Sequence, residues 1–448
     1  LGSNLQNPLR ILKRKLRKRK VRKKGFRANT LRLGRRDSVR NSSRKNGYLN
    51  ILPVLGVIIL IIGIVGWIAV SIFKLYSFEV NRAYRDERVI EKEWKGESRL
   101  NILFVGLDSR EGEYAYVDAI ILVMLDPDSK TVGIFNINPD TSVYVSEYDV
   151  EEKLRNLYNR GVIDQESIPI LLLEDKVEKL FSINIDRYVL MREEGLVEMV
   201  DSLGAIYVNN EVKLIDLDAG QGGIDILPGS QRLEGNDYWG YVSADALGVE
   251  QKYIRQNEAL ESLLQRSVNY AVFFKIPRIV DTFSRTVRTD LSRPELLRLA
   301  LTMNRANDVK SGFTKESAFE KVKLDEGIRL VPILEEIDQD IQKVFVDPRI
   351  SKEQARVEVF NSTNIIGLGA FRARWLRNIG VDVIRVGDTA QSFEESVIYS
   401  KDPEAFKYTI NGIKKSFDEE PEVVKGEPSD IISTGDVILI IGGNAEEN

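Results

Sequence analysis

Residues 49–73 run for 25 positions without a charged side chain, and 17 of them are Leu, Ile, Val or Phe. At 1.5 Å rise per residue a helix over this stretch reaches about 37 Å, more than the ~30 Å hydrocarbon core of a bilayer. Each such residue favours insertion by about 0.3–0.6 kcal/mol, and Pro53, Gly56, Gly63 and Gly66 offset the sum only in part. The run therefore predicts a transmembrane helix. It is longer than a signal-peptide core, and no convincing small-x-small cleavage site follows it. Tyr48 on one side, with Trp67 and Tyr76 on the other, suit the two interfaces.

The flanks set the orientation. Residues 1–48 carry 18 Lys or Arg against the single acid Asp37, a charge of +17, whereas the remaining chain has 46 basic and 67 acidic residues and carries −21. The positive-inside rule places the tail in the cytoplasm and everything after residue 73 outside. Runs such as Arg17-Lys-Arg-Lys20 suit an anionic membrane surface; a nucleic-acid partner is not expected. The sequence opens on Leu1, which reads as a fragment boundary or an unusual start codon.

Beyond a charged stalk at 74–97, the balance of 43% hydrophobic and 29% charged residues is that of folded protein. Asn101-Ile-Leu-Phe-Val-Gly106, Asp118-Ala-Ile-Ile-Leu-Val-Met-Leu125 and the stretch 131–137 are apolar runs of strand length ending at turn signals. Helical periodicity follows at 168–181, 195–202 and 253–272, with a short strand at 205–208. This alternation predicts a layered α/β domain over 98–346 with a central mixed sheet covered by helices. A second, smaller unit at 355–443 reads as strand, helix 367–379, strand 382–386, strand 396–399, helix 404–415 and strand 437–441. That βαββαβ order matches the split-βαβ plan, with 417–433 as a polar loop.

The sequence contains neither Cys nor His, which excludes disulfides, thiolate nucleophiles, the usual zinc sites and a Ser-His-Asp triad. Chemistry must come from carboxylates, Arg, Lys, Tyr, Ser or a hard metal. Asp108 stands just beyond a buried strand and Asp118 opens the next, so the two either share a divalent cation or cap their loops. Asp140, after the third strand, joins the same edge. Arg110, Lys252 and Arg255 are read either as phosphate clamps or as solvated surface.

Asn101-Ile-Leu-Phe-Val-Gly-Leu-Asp-Ser-Arg110, Val117-Asp-Ala-Ile-Ile-Leu-Val123 and Ile137-Asn-Pro-Asp-Thr141 together resemble the opening motifs of the LytR-CpsA-Psr family of bacterial envelope proteins. Later segments agree in order: Ile183-Asn-Ile-Asp-Arg-Tyr188, Val200-Asp-Ser-Leu-Gly-Ala-Ile206, Leu233-Glu-Gly235 and Arg255-Gln256. The resemblance covers about 98–346, and 355–443 resembles the LytR-type C-terminal domain often joined to it. It implies binding of a polyprenyl-pyrophosphate-linked glycopolymer and transfer of the polymer to peptidoglycan by magnesium-assisted phosphotransfer. By match, Asp108 and Asp118 would hold the metal, Arg110, Lys252 and Arg255 would face phosphate, and Asp140 and Arg255 would act in catalysis.

The chain departs from the family where charge matters. Pro139 stands where an Arg usually precedes the Asp-Thr of the third motif, Ser243 and Asp245 occupy a stretch usually rich in Arg, and Lys252 stands where Arg is common. Loss of one preorganised donor lowers rate by about 10²–10³. Two outcomes follow: a transferase with an altered site, or a non-catalytic member acting as a lipid-glycan-binding scaffold or envelope regulator. An unrelated membrane-tethered interaction role is a third.

Overall fold

The computed structural model describes residues 51–80, 93–108, 115–163, 169–220, 222–267, 275–325, 327–417, 419–429 and 431–445, without the side chains of 51–62, 64, 108 and 265–267. The basic tail, residues 81–92 of the expected stalk, and Arg110 lie outside the described residues. The apolar run is a helix, Ile51–Ser77, of 27 residues. Among the residues whose side chains are described, which leaves out 51–62 and 64 of this helix, no helix is long and apolar enough to cross a membrane.

The folded region is built on a six-stranded mixed sheet of β1 (Leu100–Asp108), β2 (Tyr116–Asp126), β3 (Thr131–Ile137), β4 (Arg187–Arg192), β5 (Val287–Thr289) and β6 (Asp308–Phe313), in the order β5-β4-β1-β2-β3-β6. β1, β2 and β3 form an antiparallel meander, and β4 and β6 run parallel to the outer members of that meander. Every residue of β3 is buried, as the unbroken apolar run requires of a strand covered on both faces. One face packs Leu103, Val105, Leu122 and Phe135 against the helices Pro169–Phe181 and Leu334–Phe345. Gly133 permits that closeness: a Cβ there would stand 2.7 Å from Val344 Cγ1. The other face packs Phe104, Val189 and Val287 under the helices Glu193–Leu203, Gly235–Ser243 and Val249–Ser267. The left-handed Gly204 (φ 83°) ends the first of these and turns the chain into the strand Ile206–Asn210.

The C-terminal unit has its own core around Val357, Val359, Leu376 and Leu439. Its strands are β7 (Arg356–Asn361), β8 (Asp382–Asp388), β9 (Val397–Ser400), β10 (Glu422–Lys425) and β11 (Val437–Ile441), in the order β8-β7-β11-β9-β10. The expected βαββαβ plan is corrected in two ways. The stretch read as a polar loop contains β10, which pairs parallel to β9, and β7 pairs directly and in parallel with β8 instead of having a strand between them. A four-residue edge strand, Glu-Val-Val-Lys, buries too little to show an apolar period, so the acids around it dominate the composition.

This unit is fastened to the end of the central sheet where β1 begins and β2 finishes. Arg349 spans three carboxylates, with Nη2 at 2.7 Å from Asp126 Oδ2 and from Asp347 Oδ2, and Nη1 at 2.6 Å from Asp128 Oδ2. Arg374 holds Asp338 at 2.8 Å, and Asn378 Nδ2 donates to the carbonyl of Phe181 at 2.8 Å.

Candidate functional site

The opposite end of the sheet carries the candidate site. The register of β1 against β2 slips between Gly106 and Leu107: Gly106 faces Ala119, but Leu107 faces Val117. Asp118 is the extra residue of that bulge, a device that re-aims one side chain out of the regular ladder. Asp108 closes β1 opposite Tyr116, so the backbone sets the two aspartates on adjoining strands at one sheet edge. The Asp108 side chain lies outside the description.

Asp118 opens onto an apolar cavity of about 620 Å³, part of it open to solvent, between β1, β2 and β4 and the overlying helices. Phe104, Leu196, Trp239, Leu260 and Leu263 wall it. Gly106 and Ala119 leave room on the sheet side, since a Cβ on Gly106 would sit 3.2 Å from that of Ala119. An apolar wall with one charged mouth suits a molecule with a greasy body and a polar head.

The mouth is dense in charge. Lys252, on the helix Val249–Ser267, is buried, with Nζ 3.5 Å from both Asp118 oxygens and 3.3 Å from Asp245 Oδ1. Asp140 follows β3 in a turn where its own N–H donates to Asn138 Oδ1 at 2.9 Å. Its carboxylate meets Lys153 Nζ at 3.1 Å and Arg155 Nε at 3.2 Å. Tyr253, next to Lys252 on the same helix, is buried against Phe313. Burial first, then the charges of Asp140, Asp118 and Asp245, push the Tyr253 hydroxyl far above its ordinary range, with Arg155 acting the other way. The pairing of Ile120 with Ile137 puts the Asp140 turn at the sheet edge where β2 opens with Asp118.

Arg255 behaves differently. It is buried; Nε donates to the Tyr241 carbonyl at 3.0 Å, Nη2 donates to that of Ala244, and Nη1 has no hydrogen-bond partner among the described residues. Burial pulls its guanidinium below its ordinary value. Gln256 donates to the Val242 carbonyl at 3.1 Å and turns an unpartnered Oε1 into the same region, lining the cavity.

Of the residues singled out from sequence, Asp118, Asp140 and Lys252 are brought to one mouth, Arg255 is tied to backbone carbonyls, and Arg110 lies outside the described residues. Lys153, Arg155, Gln256 and Tyr253 were not foreseen. The signal was present for the first two: a Lys-x-Arg opening a helix a dozen residues after the Asp140 turn. Among the described residues no three acids could hold a metal by themselves. The donor set suits a hard ion shared with a ligand, because Asp118 is partly open at the mouth and Lys252 stands 3.5 Å away from it, a long contact.

Comparison with known proteins gives the following matches. The model of the LytR_cpsA_psr family matches residues 70–323, and that of the LytR cell envelope-related transcriptional attenuator matches 354–444. A polyisoprenyl-teichoic acid–peptidoglycan teichoic acid transferase TagU from Oceanobacillus iheyensis is 25% identical over 213 residues, 47% of this chain and 64% of that protein. The chain thus spans just under two thirds of that relative. One of the same name from Enterococcus faecalis is 26% identical over 285 residues, 60% of this chain and 84% of that protein. The crystal structure of TagV from B. subtilis is similar with a TM-score of 0.46 and 21% identity, covering 54% of this chain and 94% of that one.

Proposed function

Because the chain belongs to the LytR-CpsA-Psr family, we propose that it is a cell-envelope protein that binds a polyprenyl-pyrophosphate-linked glycopolymer and transfers the polymer to peptidoglycan. The observation that carries this reading is the apolar cavity with Asp118 at its mouth. The polyprenyl chain fills the cavity, and the pyrophosphate lies against the charged groups outside it. The relatives named as teichoic acid transferases support the reaction class.

In the transfer, an acceptor hydroxyl oxygen forms a bond to the sugar-side phosphorus. The bond from that phosphorus to the bridging oxygen breaks, polyprenyl phosphate leaves with the electron pair, and the hydroxyl proton passes to Asp140. A magnesium-like ion held by Asp118 and Asp108 would neutralise charge on the phosphate oxygens. Lys252 and Arg255 contribute positive charge, Lys252 at the mouth and Arg255 through its unpartnered Nη1.

The proposal includes the anchor. Residues 49–73 cross the membrane with the basic tail in the cytoplasm and the folded units outside, where the lipid carrier and peptidoglycan meet. Support comes from the 27-residue helix Ile51–Ser77, in which Lys74 is the single charged residue.

A second reading, a lipid-glycan-binding scaffold without turnover, is favoured by one observation: Lys252 is shared between Asp118 and Asp245, so its charge is already answered. The experiment is incubation of the full-length protein in detergent with labelled polyprenyl-pyrophosphate oligosaccharide, peptidoglycan and magnesium. Release of polyprenyl phosphate that disappears in Asp118→Ala supports the transferase. Binding without release supports the scaffold, and no binding overturns both.

A further inference from the structure

We propose that Arg155 is a pyrophosphate-binding residue of this site, supplying the guanidinium that the loop carrying Asp140 lacks. The inference rests on the lipid-pyrophosphate reading above and adds a residue to it. A phosphate entering the mouth needs N–H donors that are not already committed, and the cations there differ in this respect. Lys252 is divided between two carboxylates, and Arg255 donates through Nε and Nη2 to backbone carbonyls. Arg155 makes a single side-chain ion pair among the described residues, with Nε 3.2 Å from Asp140 Oδ1 but not hydrogen-bonded to it, and no contact among those residues engages its terminal nitrogens, which leaves them for a ligand.

The backbone fixes where that guanidinium stands. The N–H of Arg155 donates to the Pro139 carbonyl at 2.9 Å, and that of Leu154 donates to the Thr141 carbonyl at 3.0 Å. The first turn of the helix Leu154–Ile163 is thereby clipped to the Asn138–Thr141 turn. Arg155 thus sits beside Pro139, at the position in space where the sequence has no cation of its own. Its side chain is 35% exposed, so it is accessible, and because Ile120 pairs with Ile137 the turn it is clipped to follows β3 at the sheet edge where β2 opens with Asp118. A guanidinium whose terminal nitrogens are uncommitted can engage phosphate oxygens in pairs. Lys153 Nζ meets the same Asp140 oxygen at 3.1 Å.

The test is binding to the full-length protein in detergent by titration calorimetry, with three probes: polyprenyl diphosphate, polyprenol and inorganic pyrophosphate. Arg155→Gln should weaken polyprenyl diphosphate about 10- to 100-fold, the worth of charge-assisted hydrogen bonds, while leaving polyprenol unchanged. Arg155→Lys should lose less, since it keeps the charge without the fork. A parallel loss for inorganic pyrophosphate would assign the contact to the phosphates alone; a loss confined to the lipid would mean that the cavity must first position the head. Equal affinity of wild type and both variants for polyprenyl diphosphate would overturn the role of Arg155. Failure of the wild type to bind any lipid probe would instead overturn the reading on which it rests. Thermal unfolding of the variants within a few degrees of wild type excludes a folding defect.

Discussion

The two ends of the β1–β2 pair make opposite use of charge. Where β1 begins, ionic groups are buried and closed by several partners: Arg187 Nη2 lies 2.6 Å from Glu295 Oε1, and Glu295 also accepts the backbone N–H groups of Trp94 and Ser292. Arg187 holds the Glu295 carboxyl below its ordinary value even though burial alone would raise it. Where β1 finishes, Asp118, Lys252, Asp245, Asp140 and Arg155 stand around a cavity with longer contacts of 3.1–3.5 Å and donors to spare. Closed charge specifies how the elements fit together; open charge is available to a ligand. Both come from the same residue types, and what separates them is burial and partner count.

The largest expected effect lies at the closed end. Glu295→Ala leaves Arg187 buried without its carboxylate and should cost about 3–5 kcal/mol of stability, read by urea unfolding. A loss under about 1 kcal/mol would erase the distinction between the two ends.

A pH effect should come next. Asp290 accepts the Tyr188 N–H at 2.9 Å, and burial pushes its carboxyl up from 3.8 to about 6. The folded state then holds a proton that the unfolded chain has already released, so this group's contribution is fully present below about pH 4 and is lost as pH rises to about 6. The loss is at most about 2–3 kcal/mol. Asp290→Asn should remove that slope, as unfolding at pH 4 and pH 7 would reveal.

At the open end, Ala119→Leu should fill the cavity and weaken polyprenyl diphosphate binding about tenfold or more, with stability changing by about 1 kcal/mol or less. Unchanged lipid affinity would place the ligand elsewhere. The smallest effect is expected for Asp245→Asn, whose side chain is 71% exposed: stability within about 0.5 kcal/mol of wild type, with affinity for pyrophosphate rising a few-fold as repulsion is relieved and Lys252 is freed. Affinity that falls instead would make Asp245 a ligand-binding residue.

Much of this architecture was legible in sequence. Unbroken apolar runs gave β1, β2 and β3 nearly to the residue, because strands buried on both faces leave no alternation to misread. The helix over the first apolar run was equally plain. Short edge strands were not: Val287–Thr289, Asp308–Phe313 and Glu422–Lys425 owe their state to pairing with neighbours far away in the chain, which no local period reports. At the site, Asp118 and Lys252 were recognisable from type and motif. The bulge that aims Asp118 depends on register across two strands, and Arg255 became a carbonyl-bound anchor through the turn at Tyr241–Ala244. Arg155 was passed over because its role arises from the clip between a helix start and the Asp140 turn.

The most direct measurement is photocrosslinking of the full-length protein with a polyprenyl diphosphate that carries a photoreactive group near the end of its chain, followed by peptide mapping. The label should fall on the helix segments bearing Leu196, Leu260 and Leu263, and excess unlabelled lipid should abolish it. Labelling spread over the surface, or undiminished by competitor, would contradict the assignment of this cavity to a lipid carrier.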